Sequence, residues 1–429
     1  MKKSDILIIG GGIAGLFAAC LAAKAGKSVR LLSYGTGTIA IGGGIIDLLG
    51  YTAEGLPVKN PLAEMKDIPA EHPYAKINGE TAQSAVAEFL ELVKGEGMEY
   101  LGSPQRNIWV PTALGTFKPT CLVPRTMDSA QLFKAKHIIV LGFNYMKDFF
   151  ADMAAKNLRE RLKHASVEQL NIDLPFAHEQ NLRDISALDA ARWLETAEGR
   201  ADFIKQLKPY VKNDTAVVLP PVLGLEPNYS VFDELTSSLG RPLVEISAVP
   251  PAVTGLRLIK LLTAAAQKRG VQIIRKAHVT GAEVEDCRCC SVYTEGFDRR
   301  RDYAADQFIL ATGGIYGGGL EAFAGKLSEP IFGIDIEVPP QQTDWSDREL
   351  FSGRSQLFAK FGIKTDAQFR ALDKSGALAA QNLRVIGRSL AGYDFAVEKS
   401  GNGTALLTAY AAVKSICRGG GTLDNGPRK

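Results

Sequence analysis

The chain has 429 residues, 46% hydrophobic and 23% charged, with a formal net charge of +3. That is an ordinary globular composition, long enough for two domains and a sizeable core. So small a net charge gives no reason to expect nucleic acid or an anionic membrane surface as a partner.

Asp5-Ile6-Leu7-Ile8-Ile9 is a short aliphatic run, the pattern of a strand buried on both faces. Met1-Lys2-Lys3 ahead of it looks superficially like a secretory leader, but Asp5 and the glycine turn interrupt the apolar stretch. Gly10-Gly11-Gly12-Ile13-Ala14-Gly15 then fits G-x-G-x-x-G. A small-residue helix is predicted from about Ala14 to Ala25, and Ser28 to Ser33 supplies a second strand. In such a unit Gly10 makes the tight turn, Gly12 lets a pyrophosphate approach the backbone, and Gly15 lets helix and strand pack closely. The helix N-terminus offers free N–H groups and a positive dipole end to the phosphate. An acidic residue for the adenosine ribose is expected about 20 residues on, and Ser33 stands there instead. That weakens the case for an adenine dinucleotide.

Next, Gly42-Gly43-Gly44 lies between apolar residues, costly for a regular element; these glycines are expected to let a flat ring lie against the backbone. From Glu54 to about Gly79 the chain turns polar and proline-bearing, marking a departure from the first domain. An amphipathic helix is predicted over Thr81–Lys94. Short strands and turns follow over 107–124, with Lys118 and Arg125 as available cations. His137–Phe143 reads as a buried strand, about Lys147 to Lys163 as a helix, Ser166–Leu174 as a strand, 180–213 as charged helix and Ala216–Leu219 as a strand.

The first domain resumes with a helix over Thr254–Arg269, a strand over Val271–Ile274 and a β-meander over His278–Arg301. Asp298-Arg299-Arg300-Arg301 is expected as a solvated turn. Asp306 to Leu310 is a buried strand ending in Ala311-Thr312-Gly313-Gly314, where bare backbone approaches the nucleotide a second time. Residues 331–375 look like a further excursion into the second domain. Asn382 to Gly387 is a last strand, and Gly401-Asn402-Gly403-Thr404 opens a small-residue helix whose dipole suits an electron-rich ring.

Six cysteines (Cys20, Cys121, Cys287, Cys289, Cys290, Cys417) do not form a secreted disulfide framework, so a reducing cytoplasm is expected. Cys287-Arg288-Cys289-Cys290 lacks a second ligand pair at metal spacing, and no metal is expected. No run reaches the roughly 18 apolar residues of a membrane span. Among the histidines (His72, His137, His164, His178, His278) no catalytic base is singled out.

Taken together, the N-terminal G-x-G-x-x-G, the Gly42–Gly44 loop, Ala311–Gly314 and the C-terminal strand–glycine–helix resemble the glutathione-reductase-type flavoprotein fold. A closer resemblance is to the B subunit of anaerobic glycerol-3-phosphate dehydrogenase. It is carried by Gly44–Leu49, Leu114–Thr120, Ile139–Phe143 with Asp148-Phe149, and Pro250–Leu258, and runs from Asp5 to about Ile416. The fold so implied is α/β: a Rossmann-like flavin-binding domain (1–65, 251–330 and 376–429) with an inserted α/β domain (66–250 and 331–375).

The resemblance implies a non-covalent flavin, FMN by preference with FAD as the alternative, and oxidation of glycerol 3-phosphate to dihydroxyacetone phosphate. It also implies two partners, a larger catalytic flavoprotein (the A subunit) and an iron–sulfur, membrane-anchoring protein (the C subunit) that passes electrons to membrane quinone. The chain would then be cytoplasmic, peripheral on the membrane through its partners. Gly10, Gly12, Ala14, Gly15, Ser33, Gly42, Gly43, Gly44, Thr312, Gly313, Gly387, Gly401, Asn402, Gly403 and Thr404 are the expected cofactor residues. Lys118, Arg125 and Arg257 are the candidate cations for a substrate phosphate. Two other readings stay open: a non-catalytic flavin-binding relay or docking subunit, and a stand-alone flavin dehydrogenase or reductase of a small hydroxy or keto acid.

Overall fold

The structure, a computed structural model, describes residues 3–179, 184–247, 250, 252–296, 299–349 and 356–419. In chain order the elements that matter are β1 (Ser4–Ile9), α1 (Ile13–Lys24), β2 (Val29–Ser33), α2 (Gly79–Gly95), β3 (Ile108–Pro111), β4 (Phe117–Thr120) and β5 (His137–Phe143). Then come α3 (Ala151–Arg161), β6 (Ser166–Ile172), β7 (Thr215–Leu219), α4 (Ser230–Leu239), β8 (Leu243–Glu245), α5 (Val253–Lys268) and β9 (Gln272–Arg275). The last are β10 (Val279–Glu285), β11 (Arg288–Glu295), β12 (Arg300–Leu310), β13 (Leu383–Val385) and α6 (Gly401–Gly419).

The larger sheet has the order β9-β2-β1-β12-β11-β10, with β13 also paired to β12. Its parallel part is buried on both faces, as the unbroken aliphatic β1 requires: Ile6, Leu7 and Ile8 are all fully buried. The long strand β12 belongs to two pairings. Its second half runs parallel to β1 (Ile6↔Gln307, Ile8↔Ile309), while its first half pairs antiparallel with β11 (Val292↔Tyr303). Cys289 and Cys290 alternate on β11, one buried and one exposed.

Helix α1 is apolar or small up to Lys24 because only its last turn meets solvent; it packs between α5 and α6. Ala14, Gly15, Ala18, Ala19 and Ala22 let those helices approach closely.

A second, four-stranded parallel sheet has the order β8-β7-β5-β6. Its core runs from Leu132 to Val253 and is separate from the first. The packing differs from the expected division in two places. Helix α2 belongs with the first core, where Phe89 meets Phe17 edge-on at 6.0 Å. Of residues 331–375, 350–355 lie outside the described part; the rest turn inward there, through Ile331, Ile334, Ile336, Trp345, Ile363, Phe369 and Ala371. Of the expected helix over 180–213, residues 180–183 lie outside the described part; the rest forms Ala187–Leu194 and Ala197–Leu207. Pro251 and Asp298 also lie outside it.

Arg257 ties the two units together. Its guanidinium donates from Nη1 and Nη2 to both Glu245 oxygens (2.7 and 2.8 Å) and from Nε to the Gly224 carbonyl (2.7 Å). Arg257 and Glu245 are 1% and 0% exposed. Removing one partner strands a buried charge, so Arg257→Met should cost about 3–5 kcal/mol. Denaturant unfolding of the variant, followed by far-UV circular dichroism, checks this; a loss below about 1 kcal/mol would contradict it.

Candidate functional site

Five parallel strands end on one side of the large sheet, and the chain leaving each of them lines a single crevice of about 420 Å³. After β1 come Gly10, Gly11 and Gly12; after β2, Tyr34, Gly35 and Gly37; after β9, Ala277 and His278. After β12 come Ala311, Thr312 and Gly313, and after β13, Ile386 and Arg388. The first turns of α1 (Ile13, Ala14) and α6 (Gly401, Asn402, Ala405) complete the floor, with Glu321, Pro330 and Ile331 on the outer wall. A crevice at the carboxyl ends of parallel strands is where open α/β sheets bind ligands.

The glycines divide by what a side chain would meet. At Gly10 (φ +120°) a Cβ would stand 2.2 Å from the Ala311 carbonyl oxygen, and at Gly15 it would stand 2.0 Å from that of Gly10. Both are required by the protein's own packing. At Gly12 the nearest atom would be Gly37 Cα at 3.9 Å. Gly12 therefore has room for a side chain, and it lines the crevice.

Of the expected cofactor residues, Gly10, Gly12, Ala14, Thr312, Gly313, Gly401 and Asn402 line the crevice. Gly15 and Gly387 lie just behind; Gly387 (φ +67°) packs on Ala14 and Ala405. Ser33 is buried under Gly11, and its hydroxyl donates to the Gly35 carbonyl at 2.6 Å. The side chain facing the crevice at that strand end is Tyr34, 72% exposed and tilted against His278 at 4.8 Å. Gly403 packs on Asp47 and Leu48, and Thr404 is buried.

Gly42, Gly43 and Gly44 are not on the crevice wall. A Cβ at Gly44 would meet the Thr254 carbonyl at 2.7 Å, and one at Gly43 the Ser247 hydroxyl at 2.8 Å. Gly43 and Gly44 thus approach α5 and its entry closely, and a Cβ at Gly42 would meet Ile39 and Thr38.

The three candidate cations also separate. Arg257 is committed to Glu245, as described. Arg125 pairs with Asp233 at 2.5 Å and lies over the rings of Tyr229 and Phe232, lining a different depression with Gln131 and Arg241. Neither reaches the crevice. Lys118 pairs with Asp47 at 2.8 Å, and the Asp47 carbonyl accepts the Gly403 N–H at 3.0 Å. Lys118 therefore stands beside the start of α6. Lys399 is half-buried there too, its pKa lowered by burial and then by Lys118.

The entry to α6 is held by a buried pair. His72 Nδ1 accepts the Tyr74 N–H at 3.0 Å, so Nε2 carries the proton donated to Glu398 at 3.1 Å. The same carboxylate accepts from the Ser400 hydroxyl at 3.0 Å. Tyr34, His278, Glu321 and Arg388 were missed as wall residues. The usable cue for Tyr34 and Arg388 was position, a few residues at most past the end of a parallel strand.

A crevice fed by five parallel strand ends, with two helix N-termini turned into it and Gly12 kept bare, defines a dinucleotide-binding protein of the flavoprotein type. The FAD binding domain family matches residues 5–404. The chain belongs to that family, and within it to the B subunits of anaerobic glycerol-3-phosphate dehydrogenase. The probable B subunit of Halobacterium salinarum is 33% identical over 419 residues, 96% of this chain and 97% of that one. The Yersinia pestis B subunit is 30% identical over 421 residues (96% and 98%), and that of Vibrio vulnificus 29% over 424 (96% of each). The match supports a flavin and points to FAD; the preference for FMN, implied by the resemblance and in keeping with Ser33, finds no support. No helix among the described residues is long and apolar enough to cross a membrane.

Two variants separate packing from binding. Gly12→Ala should keep the parent's thermal midpoint yet lose flavin affinity about tenfold or more, because its methyl stands where phosphate must approach. Gly15→Ala should lose both. Fluorescence titration with flavin beside thermal unfolding checks the pair.

Next to Pro330 of the outer wall, Glu329 is fully buried and accepts the Ile331 and Phe332 N–H groups at 2.9 and 2.7 Å. Desolvation pushes its carboxyl from 4.5 up to about 7, only partly opposed by those bonds. The folded state thus holds this proton more tightly than the unfolded state. Its contribution is full below pH 4.5 and is lost as pH rises through about 7. Unfolding measured across that window should show a fall on the order of 3 kcal/mol that Glu329→Gln flattens.

Proposed function

We propose that this chain is the flavin-carrying B subunit of an anaerobic glycerol-3-phosphate dehydrogenase. In this reading it binds FAD extended through the crevice and oxidises glycerol 3-phosphate to dihydroxyacetone phosphate. The observation that carries the proposal is a crevice running from Tyr34 and His278 to Gly401 and Asn402, in a chain whose B-subunit relatives match along 96% of its length.

The first turn of α1 (Gly11, Gly12, Ile13) holds the diphosphate, and Tyr34 with His278 covers the adenosine end. Thr312, Gly313 and the opening turn of α6 hold the ring end. Gly15, Gly387, Gly403 and Thr404 keep those segments at their spacing. The bound flavin supplies a two-electron acceptor for the hydride that leaves the alcohol carbon; the hydroxyl proton goes to a base as the alcohol becomes a ketone. Lys118, with Lys399 beside it, orients the substrate phosphate. The unit built on the four-stranded sheet, from about residue 132 to 253, closes over the substrate or meets a partner protein. Electrons then pass through a larger flavoprotein partner and an iron–sulfur partner toward membrane quinone.

The test is anaerobic addition of glycerol 3-phosphate to the purified, flavin-loaded chain. Bleaching of the visible flavin bands is expected, and Lys118→Gln should raise the concentration for half-bleaching by about tenfold. A flavin that stays oxidised in the chain alone, but bleaches when the partner proteins are added, would move substrate oxidation off this chain and make it an electron carrier.

A further inference from the structure

Arg388 follows Gly387 where the chain leaves β13, and it lines the crevice with Gly401 and Asn402. Its guanidinium lies over the Phe395 ring, 4.1 Å from the centroid. Nη2 and Nε come within 3.2 and 3.3 Å of where a Cβ on Gly401 would stand. Glycine at 401 is thus what leaves room for the guanidinium at the mouth of α6.

What Arg388 lacks is an acceptor. Among the described residues no carboxylate, carbonyl or hydroxyl takes a hydrogen bond from it, and Glu321 on the same wall does not pair with it. Two arginines in more enclosed places have acceptors: Arg257 in Glu245, and Arg384 in Gln307 and Ser415. A guanidinium has five N–H donors, and holding them partly out of water with nothing to accept them is costly. The ring beneath Arg388 takes one face of the guanidinium and leaves its edges toward the cavity.

The crevice therefore has two separate places for negative charge. One is the N-terminus of α1, where Gly12 is kept bare and a diphosphate fits. The other is the N-terminus of the 19-residue α6 with Arg388 beside it. We propose that Arg388, with the first turn of α6, holds the negative charge that the flavin ring gains on reduction, and so raises the cofactor's reduction potential. This rests on the flavin reading above. A flavin held there would take up two electrons as hydride from the substrate carbon, and its ring would carry one net negative charge unless a proton followed. A fixed cation at the ring edge stabilises that charge without a proton.

The FAD-loaded chain is compared with Arg388→Gln and Arg388→Lys. Each is titrated with sulfite, which adds to the oxidised ring and leaves it negatively charged, and each has its midpoint potential measured against redox dyes. Arg388→Gln should weaken sulfite binding about tenfold and lower the potential by about 30 mV, the equivalent for a two-electron couple. Affinity for oxidised FAD should change less than about threefold, and Arg388→Lys should recover most of both effects.

Since no carboxylate is left unpaired by either change, both variants are expected to fold. Unchanged sulfite affinity and potential in the glutamine variant would overturn the assignment. So would a loss of oxidised FAD affinity with an unaltered potential, which would make Arg388 a phosphate contact. A wild-type chain that takes up no flavin would overturn the flavin reading and this inference together; a yellow wild type confines any failure to Arg388.

Discussion

The crevice depends on how closely the backbone of the first turn packs. The Gly10 carbonyl lies so near Gly15 that a methyl there would overlap it, and Gly10 itself sits against the Ala311 carbonyl. These two approaches bring β1, α1 and the end of β12 within one backbone thickness of each other. Because α1 is held that low on the sheet, α5 and α6 can flank it through alanines and glycines. The α6 N-terminus then arrives at the same crevice as the α1 N-terminus. Relaxing the turn would separate the two helix ends that a dinucleotide has to bridge.

The parts legible in the sequence were those whose cause is local. A strand–glycine–helix unit carries its own geometry, so Gly10–Ala14, Thr312-Gly313 and Gly401-Asn402 could be placed on the crevice from their neighbours alone. Gly42–Gly44 shows the limit. A glycine run reports that something comes close, but not what, and at Gly44 it is the α5 backbone at Thr254. The cations show another limit. Arg257 looked available until Glu245 came in from the inserted sheet, and Arg125 until Asp233 and two rings closed on it. Such pairing is decided by tertiary packing. Arg388 went unnoticed for the opposite reason: its distinction is a missing partner, which a sequence cannot display.

The inserted unit raises the same point on a larger scale. Polar, proline-bearing sequence after Glu54 marked a departure, yet α2 returns its apolar face to the first core, and the described part of 331–375 does likewise. Composition locates a change in environment and not the core to which a segment returns. The second core begins only at Leu132, and its attachment at Arg257–Glu245 gives the two units a common buried contact.

Extent of the crevice is what distinguishes this account from one in which a mononucleotide is bound. Tyr34 and His278 sit at the end where adenosine would lie, with Ser33 turned away beneath Gly11. Competitive titration of the flavin-free chain with FAD and with FMN tests this most directly. The account predicts that FAD binds at least about tenfold more tightly, since only FAD fills the groove from Tyr34 to Asn402. Equal or tighter binding of FMN would contradict it.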